Sequence, residues 1–252
     1  MAMGTLYYNW FKPRSIAIRV LAKLLDLDLD FIHINGSEDA GAAYLALNPL
    51  GKIPTYVDQD GFVLTECTAV LTYIATQYQH KKSLLGANQQ EYFKVQQWLS
   101  FANSELLVSM GGALYPIMKD FKTEIVCDAD DCARMLLREL QVLDDHLAGR
   151  TYLVGESLTI ADLLMNSFIG CGIQVFHQSW WDDYPNIARW FLPIYNLPEN
   201  KAVAGELAKF EKEIPPALQG KKAQRALETA QVDELDSVML RDEQPSAVLV
   251  SP

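Results

Sequence analysis

The hydrophobic pattern of this chain changes its period once, near residue 80, and that change dictates two kinds of layer in one molecule. Before it, strand and helix signals alternate. Gly4 to Tyr8 and Leu29 to Ile34 read as strands, and Pro13 stands between them at a favourable first helical position. Ile16, Val20 and Leu24, joined by Leu21 and Leu25, then repeat along one helix face. Ala40 to Leu47 is a short helical stretch closed by Asn48-Pro49 and Gly51. Ile53 to Val57 and Phe62 to Thr65 flank Asp58-Gln59-Asp60-Gly61, a hairpin by its Asp-Gly signal. Glu66 to Tyr78 closes the unit as a helix. The order β-α-β-α-β-β-α implies a mixed sheet of about four strands carrying helices.

From Gln89 onward the pattern is helical only. Val95, Leu99, Ala102 and Leu106 form one stripe, and Ala133, Leu136, Leu140, Leu143 and Leu147 form another beneath a charged face. Leu158 to Asp162 starts a further helix, and Trp190 to Tyr195 and Lys201 to Phe210 supply more. The expected organisation is an α/β unit over residues 1–82, an all-helical unit over 89–219 and a charged tail over 220–252. Lys81 to Asn88 is the linker.

Charge narrows the partners. The 21 basic and 32 acidic residues leave a net charge of −11, which repels phosphate backbones and anionic lipid surfaces, so no nucleic acid and no membrane partner is expected. The opening MAMGTLYYNWFKPR carries no apolar secretory run, and Leu163 to Trp181 is too polar for a membrane span, so a cytoplasmic location is expected. Cys67, Cys127, Cys132 and Cys171 then read as free thiols. Cys127 and Cys132 lack a second pair and spaced histidines, and His33, His80, His146 and His177 are isolated, so no metal is expected. There is no Gly-rich phosphate loop, G-x-S-x-G or Cys-x-x-Cys.

Three stretches carry chemistry. Asn48-Pro49-Leu50-Gly51-Lys52-Ile53-Pro54 leads into the third strand. Thr65-Glu66-Cys67-Thr68-Ala69-Val70 opens the helix after the hairpin, where unpaired N–H groups and the positive end of the macrodipole suit a carboxylate. In Gly155-Glu156-Ser157-Leu158-Thr159-Ile160-Ala161-Asp162, Thr159 at the N-cap and Asp162 three residues on form a capping pair. Leu158 and Leu163 form its hydrophobic staple. Over roughly residues 4 to 210 these stretches together resemble the glutathione transferase superfamily.

The resemblance implies a thioredoxin-like N-terminal domain that binds glutathione and an all-α C-terminal domain that binds an electrophile, in a homodimer. It implies that Pro54 is cis, so that the N–H and C=O of Ile53 face a peptide-like ligand. Lys52 would approach the glycine carboxylate of glutathione, Glu66 its ammonium, and the N–H of Cys67 its γ-glutamyl carboxylate. Cys67 stands where the family usually has Ser or Thr, as a reactive thiol or a passive replacement. Asp162 is structural. Within the superfamily the likeness is closest to the glutathione-transferase-like part of elongation factor 1B gamma and its fungal relatives. It rests on Gly4-Thr5-Leu6-Tyr7, on Gln97-Trp98-Leu99-Ser100-Phe101-Ala102 with Tyr115-Pro116, and on Tyr184-Pro185-Asn186-Ile187-Ala188-Arg189-Trp190-Phe191. The elongation factor continues into a further domain and this chain stops at 252, which favours a free-standing enzyme.

Conjugation requires a thiolate from a thiol that titrates near ~8.5, so a donor aimed at the sulfur must supply ~3 kcal/mol. The family places it just after the first strand, as Tyr or as Ser or Cys directly before a proline. Lys12 precedes Pro13, so the second pattern is broken. Tyr8 matches the tyrosine position and Asn9 is next; Ser15, Lys12 and Arg14 remain as other donors, and Tyr7, its neighbour on the strand, is expected to turn into the core. Trp98, Phe101, Met110 and Tyr115 are candidates for the acceptor pocket, although aromatics at helical spacing also build cores. The expected activity is transfer of the glutathione thiolate to an apolar electrophilic small molecule. The alternatives are a glutathione-assisted isomerase or lyase step in fungal secondary metabolism, a detoxifying step, or a non-catalytic scaffold of the translation-elongation type.

Overall fold

The protein was analysed as a computed structural model that describes residues 3–35, 41–114, 128–176 and 179–205. Tyr115, Cys127, His177 and the tail over 220–252 lie outside them.

Strands β1 (Gly4–Tyr8), β2 (Asp30–His33), β3 (Thr55–Asp58) and β4 (Val63–Thr65) form one sheet in the order β2-β1-β3-β4. β2 runs parallel to β1, while β3 is antiparallel to both β1 and β4, which gives the expected mixed sheet. Along β1, Gly4, Leu6 and Tyr8 are buried and alternate with Thr5 and Tyr7, the period of a pleated strand. Helices α1 (Pro13–Leu24), α2 (Ala42–Leu47) and α3 (Cys67–Gln77) complete this half. Ala17, Ile18, Val20 and Leu21 of α1 are buried, whereas Ile16 and Leu24 of the expected stripe are only half-buried. The face is wider than the stripe because α1 packs against both the α3 layer and a helix of the second half.

That second half contains α4 (Gln89–Ser100), α5 (Leu107–Leu114), α6 (Ala129–Leu147), α7 (Ile160–Phe176), α8 (Ser179–Asp183), α9 (Pro185–Tyr195) and α10 (Pro198–Ala204). Each expected stripe residue of α6, from Ala133 to Leu147, is buried. Helix α7 is apolar nearly all round because it is central, in contact with α1, α3, α4, α5, α8 and α9. Between α4 and α5 the chain does not continue as α-helix: Phe101–Leu106 forms a π-helical turn. Such widened turns collect at functional sites.

The thiol expectation holds for Cys67 and Cys171, which are free. It is corrected for Cys132, which is disulfide-bonded. Bridging depends on the approach of two thiols in space, which spacing along the chain does not reveal. Among the described residues no helix is long and apolar enough to cross a membrane.

Candidate functional site

Four chain segments meet at one end of the sheet: the N-terminus of α1, the loop before β3, the N-terminus of α3 and the π-helical turn. The loop before β3 is built first. Asn48 Nδ2 donates to the Lys52 carbonyl at 2.6 Å and to Thr55 Oγ1 at 3.1 Å, while its Oδ1 accepts from Leu50 N–H at 3.2 Å. Tyr44 of α2 donates its hydroxyl to the same Lys52 carbonyl at 2.5 Å and lies 2.9 Å from Thr55 Oγ1. Gly51 turns the chain at φ 62°, in the left-handed region that favours glycine.

Held this way, the loop enters β3 through a cis Ile53-Pro54 bond. Thr55 is paired with both Tyr7 and Thr65, so Ile53, two residues earlier, falls beyond the ladder at the edge of the site. Tyr44, Asn48 and Thr55 were not singled out by sequence. Asn48 reads there only as a helix breaker, and its reach to Thr55 needs the folded loop.

Helix α3 starts in an unusual way. Glu66, its N-cap residue, adopts φ 65° and ψ 118°, and no side chain caps the helix. A non-glycine residue held at positive φ costs about 1–3 kcal/mol, and such strain collects at ligand sites. The first bond of the helix runs from Val70 N–H to Glu66 C=O, so the preceding N–H groups have no partner within the helix. Glu66 is exposed beside them and Cys67 is buried. Burial pushes the Cys67 thiol up to about 11, against the opposing pull of the Arg14 charge and the N–H groups of Thr68 and Cys67. At neutral pH it is a thiol, which favours the passive replacement over the reactive nucleophile.

Helix α1 also begins without a side-chain cap, after Lys12 and with Pro13 in its first turn. Burial depresses the Lys12 ammonium, and Arg14 adds to this, while Cys171 of α7 opposes it. Arg14 Nε donates to Asn103 Oδ1 at 2.9 Å, and Cys67 Sγ lies 3.6 Å from the same oxygen. Asn103 belongs to the π-helical turn, so the helical half touches both uncapped helix starts through one residue.

The expected thiol donors are differently placed. Tyr8 is only 4% exposed, with its ring enclosed by Trp10, Phe31 and His33 and the Arg19 guanidinium 4.8 Å from its centroid. Asn9 Nδ2 donates to the Ile34 carbonyl at 3.2 Å, and its Oδ1 accepts from Phe11 N–H at 3.1 Å. Asn9 braces the loop after β1 with one of its two amide N–H groups and its oxygen. Ser15 Oγ accepts from the Asn9 N–H at 3.2 Å, inside the same turn. Lys52 is exposed at the loop, next to half-buried Ile53.

Of the expected pocket residues, Trp98 packs on Phe101 and on His146 of α6, with ring centroids 5.3 Å and 4.4 Å away. Trp98 and Met110 are each 4% exposed and pack into the core of the helical half. Helical spacing alone cannot separate a core face from a pocket face. Phe101 remains half-buried on the π-helical turn.

Known proteins resemble the chain in sequence and fold. The family description "Glutathione S-transferase, N-terminal domain" matches residues 2–76, and "Glutathione S-transferase, C-terminal domain" matches residues 108–198. Glutathione S-transferase stcT of Emericella nidulans is 39% identical over 221 residues, covering 86% of this chain and 99% of its own length. The chain belongs to the glutathione S-transferase family. Elongation factor 1-gamma of Carassius auratus is 34% identical over 220 residues, 84% of this chain but only 48% of that protein. Among solved structures, the glutathione-transferase-like domain of elongation factor 1-gamma from Saccharomyces cerevisiae superimposes with a TM-score of 0.70 at 25% identity, covering 86% of this chain and 99% of that one. The thioredoxin-like half and the all-α half of this family member are the two parts expected.

Proposed function

We propose that this member of the family binds glutathione at the cis Ile53-Pro54 loop and the start of α3, and adds its thiolate to an apolar electrophilic small molecule. The observation that carries the reading is the strained Glu66 at the head of an uncapped α3, beside a cis proline held by the Asn48 and Tyr44 network. Main-chain groups of Ile53 pair with the cysteinyl part of the tripeptide, and Lys52 lies within the same loop for its glycine carboxylate. The N–H groups of Cys67 and Thr68 receive the γ-glutamyl carboxylate, and Glu66 its ammonium. In the chemical step the sulfur loses its proton to solvent, forms the carbon–sulfur bond and expels the leaving group. Lys12, Arg14 and the positive end of α1 lower the cost of the thiolate. Tyr8 is the proposed hydroxyl donor to the sulfur.

The reading extends to a cytoplasmic homodimer, in which the exposed apolar side chains Phe62 on the hairpin and Phe93 on α4 would serve the subunit contact. Likeness to elongation factor 1-gamma supports one other reading, a glutathione-transferase-like scaffold that does not turn over.

Retention on immobilised glutathione, together with turnover of chlorodinitrobenzene, tests the proposal. Tyr8→Phe is expected to retain binding and lose about a hundredfold in kcat, the usual scale for a positioned proton donor. Unchanged turnover in Tyr8→Phe would remove Tyr8 from the mechanism and leave the enzyme. Neither retention nor turnover in the wild-type protein would favour the scaffold.

A further inference from the structure

Asn103 of the helical half meets residues at both helix starts of the sheet half, Arg14 in the first turn of α1 and Cys67 in the first turn of α3. Its partners lie far away along the chain, Arg14 by 89 positions and Cys67 by 36. Arginine Nε can only donate, so the atom it meets at 2.9 Å must be the amide oxygen, and the amide orientation is fixed chemically. Asn103 reaches them because it stands on the π-helical turn, where the extra residue per turn re-aims side chains relative to α4 and α5.

The chemistry of this contact is selective. A carboxylate at position 103 would also accept from Arg14, but it would pair with the guanidinium and cancel its charge. An amide oxygen orients the guanidinium and leaves its full positive charge in place. On a chain with a net charge of −11, a retained cation matters for any anionic ligand. The charge of Arg14 also acts on the Cys67 thiol, so the guanidinium lies close to the head of α3.

Building on the glutathione reading above, we infer that Asn103 is a positioning residue for the anion seat. It holds the uncancelled charge of Arg14 beside the N-terminus of α3 and thereby ties glutathione affinity to the helical half. The contact with the Cys67 thiol anchors the same oxygen from the other side. Because Phe101 lies on the same π-helical turn, an occupant of the acceptor side that shifts this turn also shifts Arg14.

Titration calorimetry with glutathione, on the full chain, tests this inference. Asn103→Ala is expected to weaken binding about tenfold, the loss associated with a hydrogen bond to a charged group. Asn103→Asp, nearly identical in shape and still an acceptor, should match the wild-type thermal midpoint and yet bind glutathione at least about tenfold more weakly, because it neutralises Arg14. In steady-state assays the defect should fall on KM for glutathione, with kcat changed less. In an Arg14→Met background Asn103→Ala should cost no further glutathione affinity. Wild-type-like glutathione affinity in Asn103→Asp would overturn the inference while leaving the glutathione reading intact. Failure of the wild-type protein to bind glutathione would overturn both.

Discussion

The starts of α4, α6, α7 and α9 in the helical half are finished differently from those of α1 and α3 in the sheet half. In the helical half, Asn88 Oδ1 accepts from Glu91 N–H at the head of α4, and Asp128 accepts from Asp130 and Asp131 N–H at the head of α6. Asp144 reaches from α6 to the head of α9 and accepts from Asn186 and Ile187 N–H at 2.8 Å and 2.9 Å. At α7, Asp162 is fully buried and accepts from Leu153 N–H, Thr159 N–H, Thr159 Oγ1–H and Trp190 Nε1–H. In the sheet half, Lys12 and Glu66, the N-cap residues of α1 and α3, make no capping hydrogen bond through their side chains. A saturated helix start contributes to folding, since its donors are satisfied inside the protein. An unsaturated one keeps its donors and its dipole for a ligand.

The largest expected effect that would break this comparison is at Asp162. Burial raises its carboxyl above the usual carboxylate range, but removing it strands three buried N–H donors at once. Asp162→Ala should cost about 4 kcal/mol and lower the thermal midpoint by roughly 10 °C. A midpoint within a degree or two of wild type would show that this cap is dispensable. The corresponding change at α3 should act in the other direction on stability. Glu66→Gly relieves a strained φ of 65° and should stabilise the fold by about 1 kcal/mol, while glutathione affinity falls. Denaturant unfolding and calorimetry on the same sample measure the two effects. Loss of stability would mean that Glu66 is held there for the fold itself.

A smaller and pH-dependent effect concerns Cys67. With its thiol pushed up to about 11 by burial, alkylation by iodoacetamide at pH 8 should be far slower than for a free cysteine, as peptide mass spectrometry would reveal. The linkage has a definite sign. Between about 9 and 11 the unfolded chain loses this proton while the folded chain keeps it, so stability falls as pH rises through that window. Rapid labelling at pH 8 would place a thiolate at the head of α3 and reopen a chemical role for it.

Much of the fold was legible beforehand, because its signals are local. The alternation of β1, the stripe of α6 from Ala133 to Leu147, and the Thr159–Asp162 pair each depend on residues within a few positions of one another. The cis bond at Ile53-Pro54 followed from resemblance rather than periodicity, and the structure contains it. The site was legible only in outline. Asn9 has the chemistry of a donor, but its amide is engaged with Ile34 and Phe11; Trp98 and Met110 have the chemistry of a pocket wall, but they lie in a core.

By itself, the amino-acid order determined which segments of the two halves become strands and helices. It also placed a closed helix start at Thr159 and a helix start suited to an anion after the hairpin. Tertiary structure alone decided that Arg14 meets Asn103, that Asp144 closes α9 and that Trp190 completes the Asp162 network. Local pattern depends on short-range sterics and spacing along one element. These meetings depend on how elements cross and on a widened turn between α4 and α5, which are set by the packing of the whole core.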